Sequence, residues 1–203
     1  MWPLSSIVSQ LPNVRGMLRH LFLASLILLC GCAATAKLSP EELRARLVVM
    51  GERDQATMSD TDSSRREIVL RAQASELRKI ISVHGWPKIS VVGREASEAA
   101  WLVAQHSDFD RSLQREALAS MELLASSSEV IPKHIGYLHD QIAVGEGRLQ
   151  TYGTQGRCVG GKWEPFPIAE PDSIDSRRKS LSMEPLETYK AVGSSLFCSS
   201  HGQ

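Results

Sequence analysis

From Ser39 onward, apolar positions recur at three- and four-residue spacing through most of the chain, the signature of amphipathic helices. "SPEELRARLVVM" opens the first. Ser39 can cap, Pro40 suits the first helical position and Glu42 completes a capping box, with Leu43, Leu47 and Met50 marking one face of a helix over about 40–55. After the polar break "MSDTDSS", Ser64 with Glu67 caps a second helix over about 64–84. Leu70, Leu77, Ile80, Ile81 and His84 lie along its apolar side. Gly85 stops it as a left-handed cap, and Pro87 forbids continuation. "KISVVG" reads as a short extended connector. A third helix over about 94–107 carries Ala96, Ala99, Ala100, Trp101 and Val103, small residues that permit close helix packing. "DFDRSLQREALASMELLA" restarts on an Asp cap and runs to about 125. "IPKHIGYLHDQIAV" makes a fifth helix, with Pro132 at its start and Ile135, Leu138 and Ile142 on one face.

After Gly145 the period changes. "GRLQTYGTQGRCVGGKWEPFPI" alternates polar and aromatic residues around glycines and predicts a β-hairpin, followed by two short helices in "DSIDSRRKSLS" and "MEPLETYKAV". The expected fold is mainly α: a single small helical domain over 39–203 with a short β-hairpin near the C-terminal third.

The first 38 residues have a different character. The apolar run from Leu21 to Cys30 is far shorter than the ~20 residues a spanning helix needs. It fits the core of a secretory signal, preceded by Arg15 and Arg19 with no acidic residue nearby. The run ends in Leu29, Cys30, Gly31, Cys32, which resembles the bacterial lipobox. That resemblance implies a signal peptide over 1–31, its true start at Met1 or Met17, cut before Cys32. The Cys32 sulfur would then carry diacylglycerol and palmitate-type acyl chains. Two or three chains on one cysteine suffice for stable anchoring, since each buried CH₂ contributes ~0.8 kcal/mol. A plain cleaved signal or a buried helix is the simpler alternative. The expected product is a lipoprotein on a tether over 32–38, held in the bacterial cell envelope. Ala33 after the acylated cysteine resembles the pattern sent to the outer membrane, facing the periplasm, in diderm bacteria.

Processing of this kind leaves Cys158 and Cys198 as the remaining thiols. An exported chain meets conditions in which disulfides persist, so the two either bridge or stay free. The 23 Lys and Arg balance 23 Asp and Glu, and losing Arg15 and Arg19 leaves −2. No basic run stands out, so the footprint of nucleic-acid binding is missing.

Three polar stretches can carry chemistry. In "QHSDFD", His106 and Asp108 can supply a base and its orienting carboxylate, or two metal ligands. Equally, His106 can complement a helix C-terminus while Asp110 caps the next helix. In "KHIGYLHDQ", His134 and His139 face different sides of one helix, and HExxH is absent, so no metal site is expected. In "QTYGTQG", Gly153 takes a backbone conformation closed to other residues, setting Tyr152, Thr154 and Gln155 around a tight turn. That turn either presents groups to a ligand or is a hairpin corner satisfying its own backbone. No GxSxG elbow, Walker loop or dinucleotide fingerprint is present, and no cofactor is implied.

Together, "HGWP", "AAWLVAQHSD", "YLHDQ" and "QTYGTQ", in that order, resemble a widespread bacterial domain family of unknown function. Its pattern has a GWP turn, a W-L-x-x-QHAD helix end and a Q-x-YGTQ segment, with an Asp-Gln pair near the N-terminus matched by Asp54-Gln55. Ser107 stands where the family has Ala, Gln141 where it has Arg, and the insertion carrying Cys158 also departs from the pattern. The resemblance spans roughly residues 40 to 190. It implies a polar set of Asp54, Gln55, Gln105, His106, Asp108, Tyr152, Thr154 and Gln155, forming one pocket or an internal hydrogen-bond network. The expected role is a module that binds a small molecule or a protein partner. Its rivals are a hydrolase-like enzyme, with His106 as base oriented by Asp108 or Asp54, and a purely structural lipoprotein.

Overall fold

In the computed structural model, which describes residues 37–198, helix α1 (Pro40–Met58) begins as its sequence dictates. The Ser39 hydroxyl accepts from the Glu42 amide at 3.3 Å, and the Glu42 carboxylate accepts from the Ser39 amide at 2.9 Å. Its buried stripe runs Leu43, Leu47, Met50, Asp54, Thr57, so the apolar spacing continues into polar residues over the last two turns.

Helix α2 (Ser63–His84) is capped by Asp62 and not by Ser64. The Asp62 carboxylate accepts from the Ser64 and Arg65 amides at 3.0 and 3.1 Å. An ionised cap also suits the positive end of the helix dipole. Gly85, at φ +73°, ends the helix. "KISVVG" is not extended: Ile89–Val92 forms one helical turn, α3. Two contacts outweigh the extended bias of Val-Val. Val92 is 1% exposed in the core, and the Ile89 and Ser90 amides are received by the Glu129 carbonyl and carboxylate.

Helices α4 (Arg94–Gln105), α5 (Arg111–Glu122) and α6 (Pro132–Gly145) complete the helical layer. Leu47, Leu77, Ala100, Leu113 and Leu138 meet at its centre without exposed surface. A methyl group built on Gly51 would lie 2.7 Å from the Ala99 Cβ, so α1 and α4 approach to near backbone contact there. The small residues of the third helix serve that approach, and it sets Asp54 and His106 near each other further along.

Strands β1 (Gly156–Val159) and β2 (Lys162–Pro165) pair antiparallel, Cys158 opposite Trp163. Their turn is Gly160-Gly161, at φ +57° and +78°, the two positive values that a tight hairpin favours. The "QTYGTQ" segment therefore precedes the hairpin and forms no corner of it. Helices α7 (Ile174–Ser180) and α8 (Leu186–Gly193) follow, and Cys198 closes a disulfide to Cys158. The architecture is mainly α with one two-stranded hairpin. Cys32 and the signal segment lie outside the described residues, among which no helix is long and apolar enough to cross a membrane.

The α4–α6 contact also sets a pH response. His134, 3% exposed, stacks on Trp101 with ring centres 3.8 Å apart, and its carbonyl accepts from the Trp101 indole at 3.2 Å. Burial, helped by the charges of Lys133 and Arg94, lowers its imidazole to about 3. The unfolded chain protonates this group near pH 6.5 and the folded chain does not. Its contribution is therefore complete above that pH and is lost as pH falls toward 3, at up to about 1.4 kcal/mol per pH unit. Urea unfolding across this window should give a shallower acid slope for His134→Phe than for the wild type, since phenylalanine keeps the stack and cannot titrate.

Candidate functional site

Two residues 52 positions apart form the centre of the site. Asp54, at the buried end of the α1 stripe, has no exposed surface, and its Oδ2 lies 2.6 Å from His106 Nδ1. His106 terminates α4, with its side chain 27% exposed. An ionised carboxylate can only accept, so Nδ1 carries a proton, and in the neutral ring Nε2 presents a lone pair. Nε2 has no hydrogen-bond partner among the described residues. Gln55 Nε2 donates to the same Asp54 oxygen at 3.3 Å, while the buried Oδ1 has no partner. A buried carboxylate oxygen without a donor is costly.

Asp108 is not the partner of His106. Its carboxylate accepts from Gln141 Nε2 at 2.7 Å, and the same amide reaches the Gln105 carbonyl at 2.8 Å. Gln105 also donates to the Gln141 side chain, leaving its own Oε1 buried and unpaired. Gln141 thus ties the Asp108 carboxylate to the end of α4. Asp110 caps α5 through the Leu113 amide at 3.1 Å and holds Arg78 at 2.9 Å. Ser107 directs its hydroxyl to the Val103 carbonyl at 2.6 Å and is buried.

Tyr152, Thr154 and Gln155 gather elsewhere, around a carboxylate that the sequence patterns did not single out. Asp140, on α6 and fully buried, accepts from the Thr151, Tyr152 and Thr154 amides at 2.7, 3.1 and 3.0 Å and from the Thr154 hydroxyl at 3.1 Å. Gln150, also fully buried, closes the same loop: its amide donates to the Gln155 and Phe166 carbonyls, and its oxygen accepts from the Gln155 amide. Gly153, at φ +67°, turns the chain where a methyl group would press on Ile168, Ile174 and Leu186. The fully buried Arg178 donates to the Tyr152 carbonyl at 2.6 Å. His139 stands edge-on to the Tyr152 ring at 5.6 Å. Burial, then the charges of Asp140 and Glu122, raises the Tyr152 phenol above its ordinary value, so it stays protonated.

The eight candidates therefore fall into two groups. Asp54, Gln55, Gln105, His106 and Asp108 surround the end of α4, whereas Tyr152, Thr154 and Gln155 wrap Asp140. Both groups touch α6, through the adjacent Gln141 and Asp140. Neighbouring helix residues project about 100° apart, so these two serve different surroundings. No hydrogen bond joins the Asp54–His106 pair to the second group among the described residues. No cluster of three His, Cys, Asp or Glu side chains there is arranged to hold a metal ion.

A cleft of about 600 Å³ opens beside the first group. It is lined by Val48, Gly51, Ala99 and Leu102, by Gln55 and Arg94, and by the carboxylates Glu52, Glu95 and Glu98; Asp54 and His106 lie next to this lining and not in it. Gln55 adjoins Asp54 in the chain, and Leu102 precedes His106 by one helical turn. Residues 41–197 match a family of unknown function (DUF6624), and the chain belongs to that family. No curated protein and no solved structure matches it.

Proposed function

We propose that this chain is an envelope lipoprotein, anchored through acylated Cys32, whose helical domain binds a small ligand in the cleft beside Asp54 and His106 and moves a proton on it. One observation carries this reading: a part-exposed imidazole whose Nδ1 is held at 2.6 Å by a fully buried carboxylate. Such a carboxylate fixes the ring and its tautomer and stabilises the imidazolium that forms when Nε2 takes a proton. Ser107 is committed to a backbone carbonyl, so the nucleophile would be water or a group of the ligand itself. The outcome is hydrolysis or another proton-abstraction step. The Asp140 loop supports the domain and takes no part in the chemistry.

A panel of chromogenic esters, amides and phosphodiesters tests this proposal. Turnover of a responsive substrate should fall by about 10²-fold or more in both His106→Ala and Asp54→Asn. Unfolding midpoints should stay near that of the wild type. A substrate turned over equally by the variants would overturn the reading, and loss of stability in Asp54→Asn would point to a structural pair. The mass of the mature N-terminus reports the anchor separately.

A further inference from the structure

The "HGWP" segment takes no part in the Asp54–His106 site, yet it contains an unsatisfied donor. Trp86 is 5% exposed, and its indole N–H is buried without an acceptor among the described residues. Buried tryptophan N–H groups usually find a partner, and this one lacks it although its ring borders a recess. Trp86 lines a recess of about 260 Å³ where the chain enters the domain. Lys37, Leu38, His84, Lys88 and Val91, the last 47% exposed, share this lining with the indole. Among the described residues no carboxylate lines the recess. The nearby Glu42 and Glu129 are engaged by Ser39 and by the Ser90 amide.

Donors and cations around an apolar shelf complement a phosphate that carries an aliphatic portion. We propose that this recess binds the headgroup phosphate of an anionic phospholipid in the leaflet that holds the anchor. The proposal rests on Cys32 being that anchor, because Lys37 follows it by five residues and cannot stand more than ~18 Å away. Tryptophan and lysine both favour the headgroup level, and each lysine near an anionic surface is worth about fivefold in binding. Seating the lipid here turns the Trp86 face toward the bilayer and holds the domain in one orientation on its short tether.

The full chain in maltoside micelles provides the test, read at the Trp86 indole N–H resonance, which is identified by its loss in Trp86→Phe. Added phosphatidylglycerol should move this signal saturably, and phosphatidylcholine at the same mole fraction should not. Lys37→Ala and Lys88→Ala should each weaken the response about fivefold. A silent Trp86 signal, an equal response to the two lipids, or the same shift from inorganic phosphate alone would overturn the proposal. The mature N-terminal mass shows independently whether Cys32 is acylated, so failure of the anchor and failure of the recess give different results.

Discussion

The Asp140→Ala variant is expected to lose about 4 kcal/mol or more of stability. The Asp140 carboxylate receives three backbone amides and the Thr154 hydroxyl, all supplied by residues 151–154. Removing it leaves four donors without an acceptor in a loop whose centre is buried. Each unsatisfied buried donor costs roughly 1–3 kcal/mol, with some relief if water enters the space. Against a total near 5–15 kcal/mol, the variant should be marginal. Asp140→Asn should fare only slightly better, because its NH₂ replaces one acceptor oxygen and confronts donors. Urea unfolding measures the loss. Hydrogen exchange at the Thr151, Tyr152 and Thr154 amides localises it, and near-wild-type protection there would contradict the assignment.

Separating Cys158 from Cys198 is expected to cost nearly as much. The bond closes a loop with a sequence separation of 40 residues that contains α7, α8 and strand β2. Chain-entropy arguments give about 4 kcal/mol for a loop of that length. The bridge ties the last turn, where Cys198 is 7% exposed, to a strand of only four residues. Cys158→Ser with Cys198→Ser should therefore lower the unfolding midpoint by many degrees. The wild type under reductant should show the same shift, and the double variant should be insensitive to it. An unchanged midpoint in the double variant would show that packing alone secures the C-terminus.

The helical order of the domain was legible because its core positions follow one period, and Leu43, Leu47 and Met50 could be placed on a buried face from spacing alone. Asp54 lies four residues further along the same stripe, so its burial is readable, although its partner is not. Nothing local connects it to His106, since their meeting depends on how closely α1 and α4 pack at Gly51 and Ala99. The sequence neighbour Asp108 was the more obvious orienting group, yet it bonds Gln141 instead. Asp140 is hard to read from sequence for a related reason. Its partners are backbone amides 11 to 14 residues away, which leave no side-chain signature. The "YGTQ" motif admits two readings from sequence, a turn that presents groups to a ligand or one that satisfies its own backbone, and Gly153, Thr154 and Gln155 close around Asp140 and Gln150. In "KISVVG", β-branched residues suggested extension, whereas burial of Val92 and capping by Glu129 decided the local form.

Nitrogen-detected NMR of the His106 ring tests the central claim most directly, because the base is useful only if Asp54 fixes its tautomer. The neutral ring should carry its proton on Nδ1 and leave Nε2 bare, and Asp54→Asn should disturb that preference. A wild-type ring protonated on Nε2, or one whose tautomer ignores Asp54→Asn, would contradict the account.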